Sequence, residues 1–178
     1  MSTLPVTDRT RLGRLHQRGS FERELIHQIL DEGLLCHVSW LRDGYPVILP
    51  TAYVRVDDHV YLHGSVKNRT FAALAAGAPA CLAVTLLDGL VLARSQFHHS
   101  ANYRSVVLFG SGSEVTDGER KRQVLTALCE HLVPGRSSAS SRMSGRLVAP
   151  ITTMPASPPK PSISTRIWLS VCSRSSLP

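Results

Sequence analysis

The stretch Leu34-Leu-Cys-His-Val-Ser-Trp-Leu-Arg-Asp-Gly-Tyr-Pro-Val-Ile-Leu-Pro-Thr-Ala-Tyr-Val54 decides the fold class. Two apolar runs, Leu34–Leu41 and Tyr45–Val54, meet at Arg42-Asp43-Gly44. Asp-Gly between such runs marks a tight hairpin turn. Strands joined so closely are antiparallel, because parallel neighbours need a long crossover. Pro46 and Pro50 limit how much of the second run can sit mid-sheet. Backbone groups freed from the ladder there are available to the polar edge of a planar ligand.

Upstream, Ser20 offers an N-cap, and Glu22 and Glu24 favour the start of a helix. Phe21, Leu25, Ile26, Ile29 and Leu30 form its apolar stripe, and Gly33 ends it. Residues 1–19 are polar and Arg-rich, without periodicity, and read as a mobile or partner-draped arm. Downstream, Asp57-Asp58 makes a turn and Val60–His63 a short strand. Lys67–Ala76 is an alanine-rich helix closed by Gly77. Ala80–Leu87 and Leu90–Arg94 read as strands about an Asp88-Gly89 turn. Tyr103–Val115 is the longest strand, with Gly110 and Gly112 at a bulge or bend. Thr116 or Asp117 caps a last helix reaching about Leu132, with Val124, Leu125, Leu128 and Leu132 on one face. The order is helix, three strands, helix, three strands, helix. It predicts a mainly β fold of six antiparallel strands, a small barrel or sandwich with flanking helices.

With 178 residues, 43% hydrophobic and 19% charged, the chain suits one globular domain and is neither fully disordered nor collagen-like. The net charge of +7 suggests a nucleic-acid binder until it is divided. Residues 1–130 hold 14 Lys and Arg against all 13 acids; residues 131–178 hold 6 basic residues and no acid. The excess therefore belongs to the tail, and nucleic acid is not the expected partner of the folded part. Residues 135–178 also carry 12 serines and 6 of the 11 prolines, and no strand or helix of useful length is expected there. They read as a disordered tail or as out-of-frame sequence, with a basic nucleic-acid-binding tail as the third reading. The domain division is thus an arm at 1–19, a folded domain at 20–134 and a Ser/Pro/Arg-rich tail at 135–178. The longest apolar run, Ala78–Ala93, is broken by Thr85 and Asp88, and no apolar stretch follows Arg9, Arg11 and Arg14. A cytoplasmic protein without membrane segments is the expectation. Cys36, Cys81, Cys129 and Cys172 form no CxxC pair, and Cys36 and Cys81 sit in strand-like runs as buried thiols.

Three segments could carry chemistry. In Tyr61-Leu-His-Gly-Ser-Val-Lys-Asn-Arg-Thr70 a strand ends, Gly64-Ser65 turns, and a helix opens on Lys67, Asn68 and Arg69. Cations at a helix start oppose the dipole unless an anion lies there. Turn N–H groups, the Ser65 hydroxyl and a guanidinium fork suit a phosphate, whereas two solvated cations on an exposed turn are the plain alternative. Ala93-Arg-Ser-Gln-Phe-His-His-Ser-Ala-Asn-Tyr-Arg-Ser105 sets titratable and aromatic groups between apolar strands, as site-lining loops do. His98 and His99 are adjacent and point to opposite sides of an extended chain, so no metal site is expected from them. The third segment is Pro46–Tyr53. There is no GxSxG, GxxxxGK[ST], HExxH or GxGxxG.

The ordered set Asp31–Val38, Pro50-Thr-Ala-Tyr53, Tyr61-Leu-His-Gly-Ser65 with Arg69, Val84–Ser95, Phe97-His-His-Ser100 and Asn102-Tyr-Arg-Ser-Val106 resembles the pyridoxamine 5′-phosphate oxidase-like FMN-binding split β-barrels. It is closest to the flavin-nucleotide-binding and nitroimidazole-resistance type, over about residues 10–135. The resemblance implies a six-stranded antiparallel split barrel and a homodimer with FMN at its interface. His63, Gly64, Ser65, Lys67, Asn68 and Arg69 would hold the phosphate, and Leu49, Pro50 and Thr51 would edge the isoalloxazine. Arg104 and Ser105 would lie on the strand that reaches the flavin from the partner subunit. The implied activity is an FMN-dependent oxidoreductase passing hydride or electrons to a small-molecule acceptor, with NAD(P)H as a reductant and His98 or His99 as proton donor. Deazaflavin or haem replaces FMN among relatives, and a non-enzymatic flavin-nucleotide binder or cofactor-less scaffold is the alternative. Arg146-Leu147 and Trp168 depart from the C-terminal Arg/Trp segment of the oxidase proper, so pyridoxamine phosphate is not the expected substrate.

Overall fold

A computed structural model describes residues 2–13, 16–135, 146–152 and 166–172. Helix α1 spans Arg23–Glu32, followed by strands β1 (Leu35–Arg42), β2 (Tyr45–Val56) and β3 (His59–Gly64). Helix α2 (Arg69–Ala75) precedes β4 (Pro79–Val91), β5 (Ser100–Ser111) and β6 (Ser113–Glu114). Helix α3 (Gly118–Leu132) and strands β7 (Arg146–Thr152) and β8 (Arg166–Cys172) complete the order. The strands form one antiparallel sheet, β6-β7-β3-β2-β1-β4-β5-β8, which curls without closing. This is the expected split barrel with flanking helices, built from eight strands rather than six.

The hairpin that decided the fold class forms as read. Asp43 and Gly44 both take positive φ, 52° and 80°, the pairing a two-residue turn requires. Leu35 pairs Ala52 at one end of its ladder and Arg42 pairs Tyr45 at the other. Pro46 and Pro50 are tolerated because β3 pairs only Tyr53–Val56, so the proline-bearing half of β2 has a ladder on one side.

Alternation then sorts the side chains. Cys36, Val38, Tyr53, Val60, Leu62, Leu82, Val84, Val106 and Leu108 face inward. Ile26, Ile29 and Leu30 of α1 and Phe71 and Leu74 of α2 join them, each of these side chains being worth about 1.5–3 kcal/mol when fully buried. The Tyr53 hydroxyl donates to the Leu30 carbonyl at 2.6 Å, which ties the end of α1 to β2. Gly33 ends α1 for want of space. A Cβ there would lie 2.6 Å from Val84 and 2.7 Å from the Tyr53 oxygen. Helix α3, capped by Asp117 accepting from the Arg120 N–H, lies outside the sheet. Its Val124 and Leu128 pack on Val54, Tyr61 and Leu147.

Several expectations are corrected. Asp88-Gly89 is no hairpin turn. Leu87 pairs Tyr103 and Gly89 pairs Asn102, so Asp88 is the extra residue of a bulge inside one long strand. Tyr103–Val115 divides into β5 and β6 at Gly112, where a Cβ would lie 2.9 Å from Val148. The tail was expected to hold no strand, yet β7 pairs β3 and β6, and β8 pairs β5 from Tyr103 to Phe109. Pro150 falls where the β3–β7 register shifts between Val60 and Leu62, a place that needs no regular ladder bond. The readings of 136–145, 153–165 and 173–178 lie outside the described residues. The arm is anchored in part: Leu4 is 6% exposed within the core, and Thr3 bridges Glu22.

Candidate functional site

The turn between β3 and α2 is built from its own short polar side chains. Ser65 Oγ accepts from the Lys67 N–H at 3.2 Å, and the Ser65 carbonyl from the Asn68 N–H at 3.0 Å. Asn68 is the N-cap of α2, its Oδ1 accepting from the Thr70 N–H at 2.9 Å. Gly64 lets α2 approach, because a Cβ there would fall 2.2 Å from the Phe71 ring. Trp40 on β1 donates from Nε1 to Thr70 Oγ1 at 3.2 Å, which fastens the helix start to the sheet. On this pinned frame Lys67 and Arg69 stand in solvent, with no ion-pair partner among the described residues. The Ser65 hydroxyl and the Asn68 amide keep protons to donate. A cation pair and two neutral donors suit a phosphate monoester.

His63, expected in this cradle, lies elsewhere. It is half-buried and shares a strand face with Tyr61, which packs under α3. Burial, and then the Lys121 ammonium, push its pKa below the ordinary imidazole value.

The β2 segment lies close to the turn, since Val47 pairs Trp40 and Leu49 pairs Val38. Leu49 packs against the core, Pro50 is exposed, and the Thr51 carbonyl takes the Cys36 thiol at 3.5 Å. Burial pushes the Cys36 thiol up to about 12, so it is an inert core group.

Arg104 is engaged within the chain. Its guanidinium reaches Glu32 at 2.7 and 2.8 Å and Asp88 at 2.8 Å. The bonds to Arg104 hold both carboxyls below their usual range. Asp88 is thus the bulge residue that meets Arg104, a pairing that the sequence concealed behind its turn-like Asp-Gly. Ser105 is buried beside it.

His98 and His99 sit at the far end of the β4–β5 hairpin. Phe97 there is 91% exposed, and its ring meets His98 edge-on at 5.6 Å. His99 Nδ1 accepts from the Ala93 N–H at 3.0 Å, so the neutral ring carries its proton on Nε2. Ala80 pairs Trp40 near the phosphate-type turn, and from Ala80 to Val91 the strand runs about 36 Å at 3.3 Å per residue. The histidines thus lie at the opposite end of β4 from the turn that carries Lys67 and Arg69.

Among the described residues no group of three His, Cys, Asp or Glu could hold a metal ion, and no helix is long and apolar enough to cross a membrane.

A family profile described as pyridoxamine 5′-phosphate oxidase matches residues 22–157. The chain belongs to this family. The match includes every site residue weighed above and runs past Pro134 into the serine-rich segment. Among solved structures, a FAD- and haem-binding protein from Mycobacterium smegmatis is 34% identical, with a TM-score of 0.72 over 86% of this chain and 73% of that one. The flavocytochrome Anf3 from Azotobacter vinelandii is 30% identical, with a TM-score of 0.75 over 94% and 75%. A 5-nitroimidazole resistance protein from Bacteroides thetaiotaomicron shares the fold at 16% identity and a TM-score of 0.58, over 85% and 87%. A comparison with curated proteins found no match.

Proposed function

We propose that the protein is a homodimeric flavoprotein oxidoreductase that binds its flavin nucleotide by the phosphate. The observation that carries this reading is the Lys67–Arg69 pair, exposed and without an ion-pair partner among the described residues, on a turn whose backbone is already fixed. Lys67 and Arg69 would meet the phosphate oxygens, with Ser65 and Asn68 as neutral donors, while the backbone of Leu49–Thr51 would border the ring. Arg104, with Glu32 and Asp88 on its fork, holds α1 against β4 rather than an anion. When bound, the flavin supplies hydride and single-electron transfer, with NAD(P)H as donor and a small molecule as acceptor. FMN is the smallest flavin with the required phosphate, and FAD, bound by the M. smegmatis relative, carries a phosphate at the same ribityl position.

A sheet face that is bare among the described residues supports the dimer. Register places Leu35, Leu41, Ile48, Leu87 and Leu90 on the side opposite the core, and Leu35, Ile48 and Leu87 are 59%, 64% and 66% exposed. Helix α3 covers only the β2–β3–β7 part of that side. A two-fold copy would cover the rest with the same patch. It would also carry His98 and His99 toward a second protomer, where His99 would donate from Nε2. Haem is a second reading, favoured by the haem of the M. smegmatis relative. His98 is the ring suited to iron, since His99 carries its proton on Nε2.

The visible spectrum of protein purified without added cofactor, followed by fluorescence titration with FMN and FAD, tests the reading. Flavin bands, or uptake at micromolar concentration, are expected. A colourless protein that takes up neither nucleotide would leave only the dimeric scaffold, and a stable monomer on sedimentation would refute the shared site.

A further inference from the structure

Strand β3 carries a second set of titratable side chains that the proposed site does not use. His59, Tyr61 and His63 alternate along it and share a face. Val60 and Leu62 point into the main core, whereas Tyr61 packs with Val124 and Leu128 of α3. Both imidazoles therefore flank a tyrosine under that helix, and the His59 ring stands 6.2 Å from the Tyr61 ring. His59 Nδ1 and His63 Nε2 are shut off from solvent and have no hydrogen-bond partner among the described residues. A neutral His63 ring tolerates that arrangement. A proton on this half-buried ring would create a partly desolvated cation with no carboxylate acting on it among the described residues.

The charges around His63 have the wrong sign to welcome one. From α3 the Lys121 ammonium disfavours a charge on it. Arg120, one residue earlier, lies 5.3 Å over the Tyr61 ring and donates to its hydroxyl at 2.8 Å. Asp57, at the β2–β3 turn, pairs with Arg120 at 3.4 Å, and Glu119 pairs with Arg122. Asp58 is engaged by Arg23 and His27 of α1. From β7, Leu147 pairs with His63 and is apolar. No carboxylate acts on His63 among the described residues.

We propose that β3 and α3 form an acid-sensitive latch: α3 lies on the sheet while His63 is neutral, and a proton on His63 sets an imidazolium against Lys121 and lifts the helix. Lifting uncovers Val54, Tyr61 and Leu147. The bond from His131 Nε2 to the Gly33 carbonyl, 2.8 Å, survives protonation because the nitrogen is already the donor. The direction follows from linkage. The seated state holds His63 below its free value of about 6.5, so seating is favoured above that pH and is lost as pH falls through the lowered value. One linked proton changes the ratio of seated to lifted helix by up to about tenfold per pH unit.

Amide hydrogen exchange of the full chain between pH 8 and 5, corrected for intrinsic rates, reads this directly. Protection of residues 118–132 should fall several-fold below pH 6.5 while that of β1 and β4 holds. His63→Gln should flatten the response. Lys121→Glu, at a half-buried position of α3, keeps the test intact should His63→Gln fold poorly. It supplies a counter-ion, so acid should then tighten α3 rather than loosen it. Unchanged α3 protection from pH 8 to 5, loss shared equally by the sheet, or an acid response persisting in both variants would each overturn the latch.

Discussion

Replacing Arg69 with alanine separates a phosphate holder from a structural arginine. The side chain is exposed and has no ion-pair partner among the described residues, and the cap of α2 is supplied by Asn68. Its loss should therefore leave the ligand-free fold within about 0.5 kcal/mol of wild type. Against a bound phosphate the arithmetic differs. A guanidinium–phosphate hydrogen bond is charge-assisted and worth about 1.5–3 kcal/mol. Since about 1.4 kcal/mol is a factor of ten, Arg69→Ala should weaken FMN binding by roughly 10- to 100-fold. Riboflavin lacks the phosphate, so its weaker affinity should hardly move. Asn68→Ala is the contrasting variant. It removes the cap, costs about 1 kcal/mol of stability, and should weaken both ligands by disturbing the turn. Fluorescence titration with FMN and riboflavin at one fixed salt concentration, beside thermal melts of the ligand-free protein, gives all the numbers. Equal losses for the two flavins in Arg69→Ala would refute the phosphate assignment.

Other outcomes follow from packing and charge. Gly64→Ala drives a methyl into the Phe71 ring and should cost about 1–3 kcal/mol in urea unfolding, with the displaced turn lowering flavin affinity as well. Glu32 and Asp88 owe their lowered pKa values to Arg104, so their contribution is present above the ordinary carboxylate range and lost as pH falls through the lowered values. Arg104→Met should accordingly flatten the decline of the melting temperature below about pH 4.5. Ending the chain after Thr152 removes β8 and bares the β5 edge. Stability should fall by on the order of a few kcal/mol and self-association should rise, whereas a dispensable tail would change neither. Native Cys36 should resist iodoacetamide at pH 8, since burial pushes its thiol up to about 12; rapid alkylation under native conditions would contradict its place in the core.

The sequence by itself determined the elements whose signals are local. The Asp43-Gly44 turn, the stripe of α1, the Asp117 cap of α3 and the strand–turn–helix at 61–70 all rest on neighbouring residues and were legible, although α1 is capped at Glu22 rather than Ser20 and α2 opens at Arg69 rather than Lys67. The turn that gathers Ser65, Lys67, Asn68 and Arg69 was legible for the same reason, because these residues lie within five positions of one another. What only the tertiary structure decided is where distant segments meet. Asp88-Gly89 carries a turn signature, yet it becomes a bulge because β5 continues to pair beyond it and Arg104 meets the displaced carboxylate. His63 sits one residue from the cradle, but strand alternation turns it under α3, which no local pattern could place. The serine- and proline-rich composition after Pro134 hid β7 and β8, since their pairing partners, β3 and β5, lie far upstream in the chain. Tight turns and caps are written in adjacent residues. Sheet order and the separation of the histidines from the turn are set by non-local pairing, which local composition does not encode.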